Sequence, residues 1–265
     1  MGRLDNKVAI VTGSARGLGG GTVDALAEEG AIVIITDILD EAGEARAASL
    51  RERGLQAEYH HLDVRDEASW KTLVDAALAK HGHLDVLVNN AGVSGAFTIE
   101  DGTLEDIKKI MDINFVGPFL GMKAAIPAMR KSGGGAIVNI SSNSTAMVMP
   151  ITTFYGASKA ALANMSKAAA VHCASSGYNI RINTIHPGPH ATEMILGGDV
   201  PAADLPGMRP LLRAIPMGRL GTPQELGKAV VFLASDDSSF MTAAELFTDG
   251  GLTCVSFGAE PVPRA

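Results

Sequence analysis

The sequence predicts an α/β fold: one domain with a doubly wound parallel sheet of about seven strands and helices on both faces. Three observations predict it. Short continuous apolar runs rich in β-branched residues alternate with helical stretches from the first residues onward, as parallel strands covered on both faces require. Right-handed crossovers between such strands wind the sheet in both directions. The 265 residues, 46% hydrophobic and 19% charged, suit a single buried core, and no repeat, low-complexity linker or composition break divides residues 1–265.

Residues 7–12 (KVAIVT) read as the first strand, residues 13–19 as a glycine-rich turn and residues 22–29 as the first helix. Residues 31–36 (AIVIIT) form the second buried strand, and residues 40–53 a charged helix. Residues 57–61, 84–88, 136–140, 180–185 and 245–248 supply the remaining strands, and an alanine-rich helix runs from Tyr155 to about Ala174. Residues 187–222 break the pattern, with six prolines, six glycines and no clear periodicity. A stretch that long reads as a functional lid, placed at about residues 189–221.

Composition narrows the function. A net charge of −7 speaks against nucleic-acid binding and against a basic membrane-surface role. The opening MGRLDNK is too polar for a signal-peptide core, and no apolar run approaches the roughly 18 residues of a membrane span, so a cytoplasmic protein is expected. Cys173 and Cys254 stand far apart and read as two reduced thiols. The pairs His60–His61 and His81–His83 suggest a metal, but no carboxylate or cysteine falls at ligand spacing. They read as surface histidines, and no metal is expected.

The chemistry concentrates in two motifs. Gly13-x-x-x-Gly17-x-Gly19 lies between the first strand and the first helix, where glycines let the chain approach a pyrophosphate and the helix N-terminus favours the anion. Any tight strand-to-helix turn would use glycine too, so Asp37 carries weight. It ends the second strand, 18 residues after Gly19, where a carboxylate can accept hydrogen bonds from adenosine ribose hydroxyls; the other reading is a turn or cap residue. Gly20 and Gly21 extend the run into the helix at about 1 kcal/mol each against alanine, which close packing against the sheet would explain. In Tyr155-Gly-Ala-Ser-Lys159 the phenol and the ammonium share a helix face. A free tyrosine titrates about three units too high for a base at neutral pH, and moving it takes roughly 4 kcal/mol. An adjacent ammonium and a positively charged nicotinamide could supply this together.

Thr12-Gly-Ser-Ala-Arg-Gly-Leu-Gly19, Asp63-Val64, Asn89-Asn90-Ala91-Gly92, Asn114, Ser142, Tyr155-x-x-x-Lys159 and Pro187-Gly188 follow one another in this order, with Ser142 13 residues before Tyr155. Over residues from about 5 to 253 the chain resembles the short-chain dehydrogenase/reductase family, whose fold is of Rossmann type. The resemblance implies Tyr155 as general acid/base, Lys159 holding the nicotinamide ribose and lowering the tyrosine pKa, Ser142 bonding the substrate oxygen, and Asn114 fixing a water. It implies cofactor contacts at Gly13, Arg16, Gly17, Leu18, Gly19, Asp37, Asp63, Val64, Asn90, Ala91, Gly92, Tyr155, Lys159, Pro187, Gly188 and Thr192. Pro189-His190-Ala191 departs from the family's usual apolar middle residue, Ser142-Asn143-Ser144-Thr145-Ala146 lacks its usual glycine, and Ala243 stands where glycine is common.

Within the family, Ile185-His186-Pro187-Gly188 and Ser176-Gly177-Tyr178-Asn179-Ile180-Arg181 look most like bacterial hydroxysteroid and cyclic-alcohol dehydrogenases. The implied reaction passes a hydride between NAD and an apolar, cyclic secondary alcohol or its ketone. Asp37 would repel the 2′-phosphate of NADP and Ile38 offers no arginine to bind it, with Arg16 as counter-evidence. Val93, Phe97, Met147, Val148, Met149, Met194, Ile195 and Leu196 would line the pocket, unless several pack the core beneath the lid. The alternative is an NADPH-dependent 3-oxoacyl-carrier-protein reductase. Such enzymes carry an arginine like Arg16 and need a basic face, whereas here Arg209, Arg213 and Arg219 are opposed by Glu193, Asp199 and Asp204. A cofactor-binding sensor without chemistry is the second alternative. Residues 107–129 and the helix after Tyr155 are small and apolar on more than one face, which predicts a homo-oligomer, a tetramer by resemblance.

Overall fold

Each apolar run becomes a strand whose successive residues are buried on opposite faces. In β1 (Val8–Thr12) every position is buried, Val8 and Ile10 under one helix layer and Ala9 and Val11 under the other. The computed structural model describes residues 2–196 and 208–254. After β1 come α1 (Gly17–Glu28), β2 (Ile32–Asp37), α2 (Asp40–Glu52), β3 (Ala57–His61), α3 (Glu67–His81) and β4 (Val86–Asn89). The second half holds α4 (Leu104–Met111), α5 (Gly117–Lys131), β5 (Gly135–Ile140), α6 (Thr153–Ser175) and β6 (Ile180–Pro187). It closes with the short α7 (Glu193–Leu196) and α8 (Met208–Ala214), then α9 (Pro223–Ala234) and β7 (Glu245–Thr248). The sheet runs β3-β2-β1-β4-β5-β6-β7 with every neighbour parallel. Ile10 stands opposite both Ile34 and Leu87, so the order reverses between β1 and β4. That reversal opens a crevice at the C-terminal ends of the strands.

The two cores lie on either side. Trp70 and Leu73 of α3, Leu120 and Met129 of α5 and Cys173 of α6 fill one, with Ile137 and Ile182 from the sheet. Leu26 of α1, Leu50 of α2 and Val230 of α9 fill the other, with Val33 and Val138. The Gly20–Gly21 run is explained here, against expectation, by helix contacts rather than by the sheet. A Cβ on Gly21 would stand 2.5 Å from the Pro223 carbonyl carbon, and one on Gly227 would stand 2.6 Å from the Gly21 carbonyl oxygen, so α1 and α9 touch backbone to backbone. Gly20 lies under the Arg46 guanidinium, 2.8 Å from where its Cβ would be.

The segment expected to be irregular carries α7 and α8, and its ends are clasped together. Gly221 N–H donates to Pro189 O at 3.1 Å and Ala191 N–H donates to Gly221 O at 2.8 Å. Met208, Ile215, Leu220 and Leu252 form a small core beneath it.

Candidate active site

The glycine turn leaves β1 at Gly13, whose φ of 60° suits glycine and whose Cβ would lie 2.7 Å from the Ala91 Cα. At Gly19 a Cβ would stand 2.3 Å from the Gly13 carbonyl oxygen. The turn therefore folds tightly onto itself and onto the loop after β4. Asp66, Thr103 and Thr222 cap α3, α4 and α9, whereas no side chain caps α1. A helix start without a side-chain cap leaves its first N–H groups as donors for an anion. Leu18 packs into the core beneath. Asn90 anchors the turn: its Nδ2 donates to the carbonyls of Thr12 and Gly13, both at 2.9 Å. The Thr12 hydroxyl accepts from the N–H groups of Asn90 and Ala91, both at 3.0 Å.

Asp37 ends β2 beside this turn. Its Oδ2 accepts from Ala15 N–H at 3.1 Å, and its Oδ1 from Ile38 and Leu39 N–H at 2.8 and 3.2 Å. A carboxylate has about four acceptor positions, so serving as a turn residue still leaves room for a ligand hydroxyl. Asp63 is held by Arg65, Nη2 at 2.6 Å and Nε at 2.9 Å, and this pairing keeps its carboxyl below the usual range. Val64 is buried against Gly117, and its carbonyl accepts from the Trp70 indole at 2.9 Å. Arg16 reaches towards α7 and pairs with Glu193 at 2.5 Å, while Thr192 lies opposite Gly17. At the end of β6, Gly188 N–H donates to Thr248 O at 3.1 Å, and a Cβ there would strike Asp249.

The catalytic candidates meet one layer over. Between α4 and α5 the helix widens into a single π turn, Asp112–Val116, which carries the fully buried Asn114. Its Oδ1 accepts from Val93 N–H at 2.8 Å, and its Nδ2 donates to Val93 O at 2.8 Å and to Ser158 Oγ at 3.0 Å. Both amide hydrogens are thus committed to protein. Ser158 donates in turn to Tyr155 O at 2.7 Å. Lys159 is 3% exposed and donates to Ile140 O at 2.8 Å. A Cβ on Gly92 would lie 3.2 Å from both Lys159 Nζ and Asn114 Oδ1.

Burial pulls the Lys159 ammonium down from 10.5 to about 8 and pushes the Tyr155 phenol up, the latter against an opposing pull from the Ser142 hydroxyl. The expected depression of the phenol needs Lys159 and a bound nicotinamide together, and in the chain alone burial prevails. Lys159 spends its short contact on Ile140, and its Nζ is 5.8 Å from the phenol ring centre. Ser142 opens the one-turn 3₁₀ helix Asn143–Thr145, its Oγ accepting from Ser144 N–H at 3.1 Å.

The apolar residues expected around the pocket divide. Phe97 stacks on Phe154 with centroids 6.0 Å apart, and Val148 (88%), Met149 and Ile195 are exposed. Met147 and Leu196 pack against the small core of Met208, Ile215, Leu220 and Leu252. The Met194 side chain, Asp199 and Asp204 lie outside the described residues. His190 is 4% exposed, its Nδ1 donates to Gly188 O at 2.9 Å, and burial lowers its pKa.

Thr12 and Ser158 stood unremarked within the motifs above. Arg46, which donates to Ala15 O at 2.9 Å, gave no local signal on its charged helix.

A family model described as enoyl-(acyl carrier protein) reductase matches residues 13–253. The cyclopentanol dehydrogenase of Comamonas testosteroni is 42% identical over 256 residues, 96% of this chain and 99% of that one. The 3-alpha-(or 20-beta)-hydroxysteroid dehydrogenase of Mycobacterium tuberculosis (strain H37Rv) is 42% identical over 94% of this chain and 90% of its own length. The NADP-dependent (R)-specific alcohol dehydrogenase of Lentilactobacillus kefiri is 38% identical, covering 95% of this chain and 98% of the other. Among solved structures, that titled "Crystal structure of gox2181" superposes with a TM-score of 0.90 at 34% identity, over 96% of this chain and 98% of that one.

Proposed function

We infer the function from one premise: the chain belongs to the short-chain dehydrogenase/reductase family. It is an oxidoreductase of CH–OH groups with a nicotinamide cofactor. The reading proposed within that class is an NAD-dependent dehydrogenase of apolar, cyclic secondary alcohols, or reductase of the corresponding ketones. The observation that carries it is the cluster of Tyr155, Ser142 and Lys159 beside the uncapped start of α1, with Asp37 at its far rim.

The residues suit a nicotinamide dinucleotide. The uncapped amides of α1 would hold the pyrophosphate. Lys159 Nζ spends one of its three hydrogens on Ile140 among the described residues and would give others to the nicotinamide ribose. The bound nicotinamide supplies hydride exchange with the carbinol carbon. Tyr155, kept protonated by burial, would give its proton to a carbonyl oxygen in reduction and recover one in oxidation. Ser142 Oγ would hold the same oxygen, and Asn114 would keep the Val93 loop in place.

Asp37 and the exposed Ile38 after it favour NAD. Arg16, the residue that argues for NADP, is engaged by Glu193. The cyclic-alcohol relatives and the apolar Phe97, Val148, Met149 and Ile195 support the substrate class. The reading also places the enzyme in the cytoplasm as a homotetramer. Specificity constants for cyclopentanol, hydroxysteroids, polyols and 3-oxoacyl thioesters, each with both cofactors, test it. A cyclic alcohol with NAD is expected to lead by at least about tenfold; a lead for NADP, polyols or thioesters would overturn it.

A further inference from the structure

His186, near the end of β6, is 1% exposed and has no part in the chemistry proposed above. Its ring stacks on Phe247 with centroids 4.6 Å apart and planes within 15°, which fixes its orientation. Nδ1 lies 2.9 Å from the Ser142 carbonyl oxygen and 2.9 Å from Thr145 Oγ1, and Nε2 lies 3.2 Å from Glu245 Oε1. Beyond it, Glu245 Oε2 meets Lys167 Nζ at 2.6 Å. Burial acts to raise the Glu245 carboxyl, but the Lys167 hydrogen bond and the Lys167 and His186 charges hold it below the usual range. An ionised carboxylate only accepts, so Nε2 carries a hydrogen.

The Ser142 carbonyl is oversubscribed. Thr145 N–H at 3.2 Å, the Thr145 hydroxyl at 2.9 Å and His186 Nδ1 all address an oxygen with two lone pairs. With a hydrogen on Nδ1, the ring donates to Ser142 O. With Nδ1 bare, the Thr145 hydroxyl turns to donate to it, and the carbonyl is released. The facing charged groups that bias this choice are Glu245 from β7 and, through it, Lys167 from α6. The turn so held is the one whose Ser144 N–H binds Ser142 Oγ. A donor to a reacting oxygen works only in place, and a misplacement of about 1 Å costs about a hundredfold in rate.

We propose that His186, backed by Glu245, is a positioning residue that sets Ser142 for the reaction by holding its main-chain carbonyl; this rests on the role given to Ser142 above. The test compares wild type, His186→Leu and His186→Asn as full-length enzymes with cyclopentanol and NAD, by kcat and KM. Asparagine keeps an N–H near the Nδ1 position, and leucine keeps the bulk without the donor. The leucine variant is expected to lose at least about tenfold in kcat with the KM for NAD within about twofold. The asparagine variant is expected to recover most of that loss. A leucine variant with wild-type kcat overturns the inference, as does an asparagine variant no better than leucine. Should the leucine variant fail to fold, Glu245→Gln, which removes the carboxylate behind the ring, is compared in its place, and a wild-type kcat there overturns the inference alone. A wild type that oxidises no alcohol on the panel brings down the functional reading and this inference with it.

Discussion

Burial acts in opposite senses on two neighbouring groups, Tyr155 and Lys159. It keeps the phenol protonated and disfavours the ammonium, whose pKa drops from 10.5 to about 8. The folded value lies below the unfolded one, so folding costs about 3 kcal/mol on this account at neutral pH. The cost is full below about pH 8 and fades as the pH climbs towards 10.5. Lys159→Met removes it, at the expense of leaving Ile140 O without its donor, which costs about 1–3 kcal/mol. Such a variant is expected to melt no lower than wild type while losing turnover and cofactor affinity. Its partner variant Tyr155→Phe should lose at least about a hundredfold in turnover and keep its cofactor affinity. Thermal melts, steady-state rates and cofactor fluorescence titrations decide both. A near-normal rate for Tyr155→Phe would sink the proton-transfer role.

Among the elements, the connection into β7 carries local strain. Ala243 sits at a φ of 59° and donates to Ile182 O at 2.8 Å, so this left-handed turn leads directly into the strand. A left-handed L-residue costs about 1–2 kcal/mol, and glycine gives back part of that in unfolded-state entropy. Ala243→Gly is therefore expected to stabilise the fold by about 1 kcal/mol, read as a higher denaturant midpoint at unchanged slope. A lower midpoint would refute it. The same geometry explains why the family favours glycine at a position that touches no chemistry.

For the whole molecule, apolar side chains remain on several outer elements. Phe119 on α5, Val171 on α6 and Phe247 on β7 are each at least 40% exposed, and among the described residues β7 pairs on one side only. In the proposed tetramer, faces of this kind would be buried against further copies. Light scattering at micromolar concentration should return the mass of four chains of 27.4 kDa. The mass of a single chain would contradict the tetramer.

What the sequence determined by itself was local or periodic. Residues 7–12 announce a strand because burial on both faces leaves an unbroken apolar run. Gly13 and Gly19 announce a turn that admits no side chain, and Tyr155 and Lys159 share a face because four residues make about one helical turn. Only the tertiary structure decided the rest, since it depends on partners far away in the chain. Gly21 is required by Pro223 and Gly227, and Arg16 finds Glu193. His190 is clasped by Gly221, and His186 joins Ser142 to Glu245. The direction of the Tyr155 shift belongs here too. A motif states which groups are neighbours on a helix, whereas a pKa follows from burial and from which acceptor the neighbour chooses, and Lys159 chooses Ile140.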